Sequence, residues 1–296
     1  MDLLCQAYDT LVKFTLIFYK DGTMLENGSK SGNDTTSDKD TAFAIVKRTT
    51  LGALLLLLMP LAVWASGWQW QPGEGNAFLR TLYWITQTVT RPWGILTSAL
   101  LIAWFLWCLR FQLRGAIGLA LLLAAAILIG QQLKSLVKDH VQAPRPFVVW
   151  MEQQYQVDNQ AFYQLKRADR GALVEEQLRD NQVVPPWLKA HWQFETGFSF
   201  PSGHTLFAAS WALLGIGLLW PRRRYKTIAL LVVWAVAVMG SRLMLGMHWP
   251  RDLVMATVMS WVLVTLACCV VQRFIGPLNV ERDEHREIAA RENSKQ

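Results

Sequence analysis

Cysteine is scarce and poorly placed for chemistry: only Cys5, Cys108, Cys268 and Cys269 occur in 296 residues. They have no metal-ligand spacing, and three lie in or beside apolar runs where a thiol packs as a small hydrophobe. Neither a disulfide framework nor a zinc module is expected. Charge is thin as well, with Asp, Glu, Lys and Arg making up 17% of the chain. No carboxylate cluster and no His/Cys pairing stands at the spacing of a two-metal hydrolytic site, so neither a metal nor another cofactor is expected. No internal repeat is evident, and no nucleic-acid motif accompanies the basic residues. The short apolar patch from Leu11 to Tyr19 follows Asp2 and Asp9 instead of a basic region, and no small-residue cleavage site comes after it. It is therefore not a signal peptide.

What the chain has in quantity is apolar surface: 52% hydrophobic residues and 15 Trp, with a formal net charge of +7. Soluble domains rarely combine these, and the excess Lys and Arg fall in short groups beside apolar segments, as topology determinants do. The expected fold is an all-α integral membrane protein, a bundle of six transmembrane helices with both termini in the cytoplasm. The runs are Thr49 to Trp68, Trp93 to Leu109, Gly115 to Leu133, Thr205 to Trp220, Thr227 to Leu245 and Leu253 to Val271. Lys47-Arg48, Arg110 with Arg114, and Arg222-Arg223-Arg224 with Lys226 mark the inner ends. Residues 1–44 read as a disordered leader of unknown role, 45–278 as the six-span domain and 279–296 as a charged cytoplasmic tail. The polar region of about 147–198, between spans three and four, carries interleaved aromatic and charged residues. It suits an external cap of two or three helices lying on the bilayer.

The chemistry gathers at helix ends on the outer side. Ser202 stands as an N-cap, Gly203 permits close approach to the backbone, and His204 opens a helix whose free amides form an anion site. Lys138 with Arg145-Pro146 precedes this junction, and Ser241-Arg242, His248 and Asp252 follow it. Pro250 suits the first helical position, which places His248 just before the helix and Asp252 in its first turn. A carboxylate four residues on can hold one imidazole nitrogen and leave the other as a basic lone pair directed at phosphorus. His140, His191 and His285 fall outside these clusters and read as structural or solvated.

Lys138 with six residues before Arg145-Pro146, then Pro201-Ser202-Gly203-His204, then Ser241-Arg242 with five residues before His248 and three before Asp252, resemble the three signature motifs of the type-2 phosphatidic acid phosphatase superfamily. The resemblance runs from about Ile45 to the tail. It implies a multi-pass lipid phosphatase of the bacterial inner membrane with its site on the periplasmic side. By that resemblance His248 attacks phosphorus to form a phosphohistidine, Asp252 orients it and His204 protonates the leaving oxygen. Lys138, Arg145, Ser202, Gly203 and Arg242 hold the phosphoryl oxygens, and no metal takes part. Phosphatidylglycerol phosphate is the leading substrate, with phosphatidic acid, lysophosphatidic acid, diacylglycerol pyrophosphate and undecaprenyl pyrophosphate also implied. No nucleic acid and no obligate protein partner is expected. Two rivals are a transporter or flippase that binds phosphate without cleaving it, and a vanadate-dependent haloperoxidase. Members of the latter class share the motif pattern but are soluble.

Overall fold

The computed structural model describes residues 32–73, 75–109 and 113–275, and among them every regular element is helical. The leader upstream of Gly32 and the expected tail lie outside these residues. Helix α1 spans Gly32–Ala65, so its first turns run through the segment expected to be a disordered leader, and Ala42 is already buried. Helices α2 (Ala77–Gln87), α3 (Trp93–Leu109) and α4 (Leu113–Val141) follow. Then come four short helices, α5 (Pro146–Tyr155), α6 (Asn159–Gln164), α7 (Arg167–Gln177) and α8 (Pro186–Phe194). The described residues end with α9 (Gly203–Leu219), α10 (Tyr225–Met244) and α11 (Pro250–Val270), the last continuing into a π turn at Val271–Ile275.

Among the described residues, four stretches are long and apolar enough to cross a bilayer: Thr41–Ala65, Gly115–Tyr155, Tyr225–Met244 and Pro250–Ile275. Two shorter apolar helices, Trp93–Leu109 and Gly203–Leu219, have 17 residues each, about 25 Å at the α-helical rise and the low end of what spans a hydrocarbon core. Leu51, Leu58, Ile95, Leu100, Leu121, Leu128, Leu230 and Val233 all point outward, each at least half exposed. In water such a surface would drive aggregation, whereas against lipid it costs nothing. The protein is a multi-pass membrane protein.

Helix α9 is the axis. Its sequence is apolar on every side, which suits a helix enclosed by others, and Thr205 through Leu219 are all buried. It packs against α10 and α11, while α11 also lies along α1. The main core is built around Trp211, Phe105, Phe207, Leu213 and Val264.

The region 146–194 differs from expectation. It holds four helices instead of two or three, and it has an apolar core of its own, with Phe147, Met151, Phe162, Val174, Leu188 and Trp192 gathered against Leu245 and Met247. Trp192 is fully buried and stacks on Phe147 with ring centroids 4.9 Å apart. Its indole is thus spent on the protein interior and not on lipid. The segment between α1 and α3 contains α2, which lies outside the six expected apolar runs and whose start Asn76 caps by accepting from the Leu79 amide at 2.8 Å. Its mixture of Thr, Gln and Arg with Leu, Tyr and Trp hides it from a search for long apolar runs, while Leu79, Leu82 and Thr86 face inward.

Candidate active site

The turn Met244–His248 joins α10 to α11 and sets the position of His248. Four successive carbonyls of this turn accept from three places in the fold: Trp70, Trp192 and the start of α5. Trp70 Nε1 donates to Met244 O at 3.0 Å, Trp192 Nε1 to Leu245 O at 2.9 Å and Arg145 Nη1 to Met247 O at 3.3 Å. The Phe147 amide donates to Gly246 O at 3.0 Å. Leu245, Gly246 and Met247 are buried, so their carbonyls need such partners, and satisfying them fixes the turn. Gly246 has φ +68, and a Cβ there would meet the Trp70 ring at 2.5 Å, so both conformation and space require glycine.

His248 precedes α11 as expected, with Trp249 as N-cap and Pro250 at the first helical position. Asp252 sits at the third, where its Oδ2 accepts from the Trp249 amide at 2.9 Å and lies 3.2 Å from His248 Nδ1. The capping carboxylate therefore also orients the imidazole. Both residues are buried. Burial, with Arg145 and Arg242 nearby, holds the His248 imidazole well below its ordinary pKa, so it is neutral at pH 7. With Nδ1 donating to Asp252, the lone pair resides on Nε2.

Ser202 caps α9, its hydroxyl accepting from the Thr205 amide at 3.3 Å. The Ser202 amide in turn donates to Asp252 O at 3.2 Å, which ties the start of α9 to the first turn of α11. Gly203 is packed against the Lys134 stem, whose Cδ would stand 2.8 Å from an added Cβ. His204 Nε2 lies 3.0 Å from Thr90 Oγ1 and 3.4 Å from Glu195 Oε1. Lys138 Nζ donates to Phe198 O and, at 3.4 Å, to Ser199 O. Arg145 Nε donates to Gly197 O at 2.6 Å. Arg242 is fully buried and its Nη1 reaches Thr86 Oγ1 at 3.0 Å and His191 Nε2 at 3.2 Å. Every residue predicted from the motifs thus belongs to one cluster, assembled from the ends of α4, α9, α10 and α11 and the N-cap of α5.

Two members were missed. Glu195, at the C-cap of α8, places Oε2 2.6 Å from Arg242 Nη2 and 3.6 Å from Arg145 Nη1. Burial alone would raise its pKa, but Arg242 foremost, with His204, His191 and Arg145, holds the carboxyl well below the usual range. His191, expected to be structural or solvated, is buried against both Arg242 and Glu195, whose Oε1 lies 3.9 Å from its Nε2. Burial, opposed by Glu195 and aided by Arg242, lowers its pKa to about 4. The only sequence signal for this pair is their i, i+4 spacing, which nothing else in that stretch singles out.

The site opens into a groove of about 610 Å³ between the α2–α3 connection, α3, α4 and α9. Its deep part is apolar, with Ile102, Ile127, Phe207 and Trp211, while Gln131, Lys134, Glu195 and His204 stand at the polar end. Cationic side chains around a helix N-terminus, a buried His–Asp pair and an adjoining apolar groove suit a phosphorylated amphiphile.

Comparison with known proteins agrees. The model of the PAP2 superfamily matches residues 115–275, which include all the residues of the three motifs. The chain is 60% identical over 249 residues to phosphatidylglycerophosphatase B of Escherichia coli (strain K12), covering 84% of this chain and 98% of that protein. It is 33% identical over 226 residues to phosphatidylglycerophosphatase B of Haemophilus influenzae, covering 73% of this chain and 92% of that one.

Proposed function

The chain belongs to the PAP2 superfamily, and from that premise we propose that it is a membrane lipid phosphatase converting phosphatidylglycerol phosphate to phosphatidylglycerol through a phosphohistidine on His248. The observation that carries this reading is the buried pair of His248 Nδ1 and Asp252 Oδ2 at 3.2 Å, set among Lys138, Arg145 and Arg242. A neutral, oriented imidazole is a nucleophile, and three cations around it supply the charge that a phosphoryl group needs.

In the first step His248 Nε2 attacks phosphorus while the bond from phosphorus to the lipid oxygen breaks. His204 gives its proton to that leaving oxygen, and Asp252 stabilises the imidazolium that forms. Lys138, Arg145, Arg242, Ser202 and the Gly203 amide hold the three phosphoryl oxygens. In the second step water attacks the same phosphorus, His204 takes the water's proton, and the P–N bond breaks to release phosphate and restore His248. No step is assigned to a metal ion, because the side chains provide the positive charge. The carboxylate of Glu195 balances Arg242 and Arg145 before substrate arrives and must yield to the phosphoryl dianion. The acyl chains occupy the apolar part of the groove.

The six apolar helices form six spans, with the site at the periplasmic face of the inner membrane and both termini in the cytoplasm. Phosphatidic acid, lysophosphatidic acid, diacylglycerol pyrophosphate and undecaprenyl pyrophosphate offer the same terminal phosphoryl group and are further substrates. Purified, detergent-solubilised protein should release phosphate from this panel in EDTA. Binding without release would favour transport, and release that requires added magnesium would refute the metal-free route.

A further inference from the structure

Three cations on the groove remain outside the motifs and outside the phosphoryl site: Arg91, Lys134 and Arg167. Lys134 lies one turn before Lys138 on α4, but its neighbours are different. Its Nζ donates to Gln131 Oε1 at 2.9 Å and would stand 3.3 Å from a Cβ on Gly203. The ammonium is therefore at the first turn of α9, beside His204 and on the groove side. Lys138 and Arg145 are instead bound to the carbonyls of Phe198 and Gly197. Arg91 stands in the α2–α3 connection, exposed to the groove, and makes no ion pair among the described residues. Arg167, in the first turn of α7, donates to Phe194 O at 2.7 Å, with its guanidinium over the Phe194 ring at 5.0 Å. The one carboxylate lining the same groove, Glu195, is already engaged by Arg242 at 2.6 Å.

We propose that Arg91, Lys134 and Arg167 form a second anion subsite that binds a phosphate carried by the leaving group. This rests on the reading of His204 as the residue facing the leaving oxygen. Whatever hangs on that oxygen departs past His204 into the groove, which these three cations line together with His204. A lipid with two phosphates in series, such as phosphatidylglycerol phosphate with its internal phosphodiester, places its second anion there. Phosphatidic acid has only glycerol and acyl esters beyond the leaving oxygen and gains nothing from the subsite. The subsite thus selects lipids by the number of their phosphates, independently of acyl length.

The test uses full-length protein in detergent and two short-chain ligands whose terminal phosphate is replaced by a phosphonate that is not cleaved. One analogue keeps the internal phosphodiester of phosphatidylglycerol phosphate, and the other is the phosphatidic acid analogue without it. The doubly substituted Arg91→Ala/Arg167→Ala protein should bind the first analogue about 10- to 100-fold more weakly, the scale of losing charge-assisted hydrogen bonds. Binding of the second should change less than about 3-fold. Arg91→Lys/Arg167→Lys should recover most of the selectivity, which a folding defect would not do. Equal weakening of both analogues would mean a general attraction for anionic headgroups and would overturn the proposal, as would no weakening of either. Phosphate release from the unmodified lipids by the wild-type protein tests the phosphatase reading separately, and its absence would leave the binding comparison intact.

Discussion

At the scale of single residues, Glu195 is the member of the site whose charge opposes the chemistry. Its carboxylate lies 2.6 Å from Arg242 and 3.6 Å from Arg145, the two cations that the proposed function assigns to the phosphoryl group, so on that reading it competes with every anion that occupies the site. Glu195→Gln should therefore strengthen inhibition by inorganic phosphate or vanadate, by about 10-fold for one buried charge contact. Unchanged inhibition constants would show that the carboxylate is not displaced. His191 carries a different prediction, about stability. Its pKa falls from an ordinary value near 6.5 to about 4 in the folded protein, so the unfolded chain binds more protons between those values. Stability is then complete above pH about 6.5 and declines as pH falls toward 4, by at most about 3 kcal/mol for the one group. Thermal unfolding followed from pH 7 to 4 should show this decline reduced in His191→Gln. An equal decline in both proteins would place the acid sensitivity elsewhere.

At the scale of elements, the turn from Met244 to His248 decides whether His248, the proposed nucleophile, is in place, and the layer from α5 to α8 holds that turn. Trp192→Ala removes a fully buried indole together with the donor to the Leu245 carbonyl, a loss of about 3–5 kcal/mol. Since the effect reaches the site through His248, kcat should fall by a similar factor for long-chain and short-chain substrates; a loss confined to long chains would instead assign Trp192 to lipid contact. Gly246→Ala should be as damaging, since its positive φ and the Trp70 ring both exclude a Cβ. These elements also show what the sequence made legible. Lys138, Arg145, Ser202, His204, Arg242, His248 and Asp252 could be found because each stands at an end of an apolar run or beside Pro or Gly, where local rules predict helix boundaries. Ser202 as N-cap and Pro250 at the first helical position follow from those rules alone. Glu195 and His191 could not be found this way. They lie on a short helix of mixed character, and their role comes from Arg242, about fifty residues away in the chain, which only tertiary packing brings near. The same packing turned the expected lipid-facing cap into a layer with its own core, because Phe147, Phe162 and Trp192 bury one another before any reaches lipid.

At the scale of the whole molecule, the account joins a membrane orientation to a covalent mechanism. The basic turn at Arg222–Arg224 is assigned to the cytoplasm and the layer carrying Glu195 to the periplasm. In a background lacking native cysteines, Asp180→Cys should react with an impermeant thiol reagent in intact cells, and Arg223→Cys only after permeabilisation; the reverse pattern would invert the topology. The mechanism then requires all the chemistry to pass through one nitrogen on that outer face. The most direct measurement is rapid-quench trapping of the phosphoenzyme in EDTA, under alkaline conditions that preserve phosphohistidine, with phosphatidic acid and diacylglycerol pyrophosphate as substrates. The wild-type protein should carry an alkali-stable phosphoryl group on His248, and His248→Ala should carry none with either lipid. His204→Ala should still form it from the pyrophosphate, whose leaving phosphate hardly needs a proton, and should form it about 10²- to 10⁴-fold more slowly from the monoester. A phosphoenzyme that persists in His248→Ala would contradict the account.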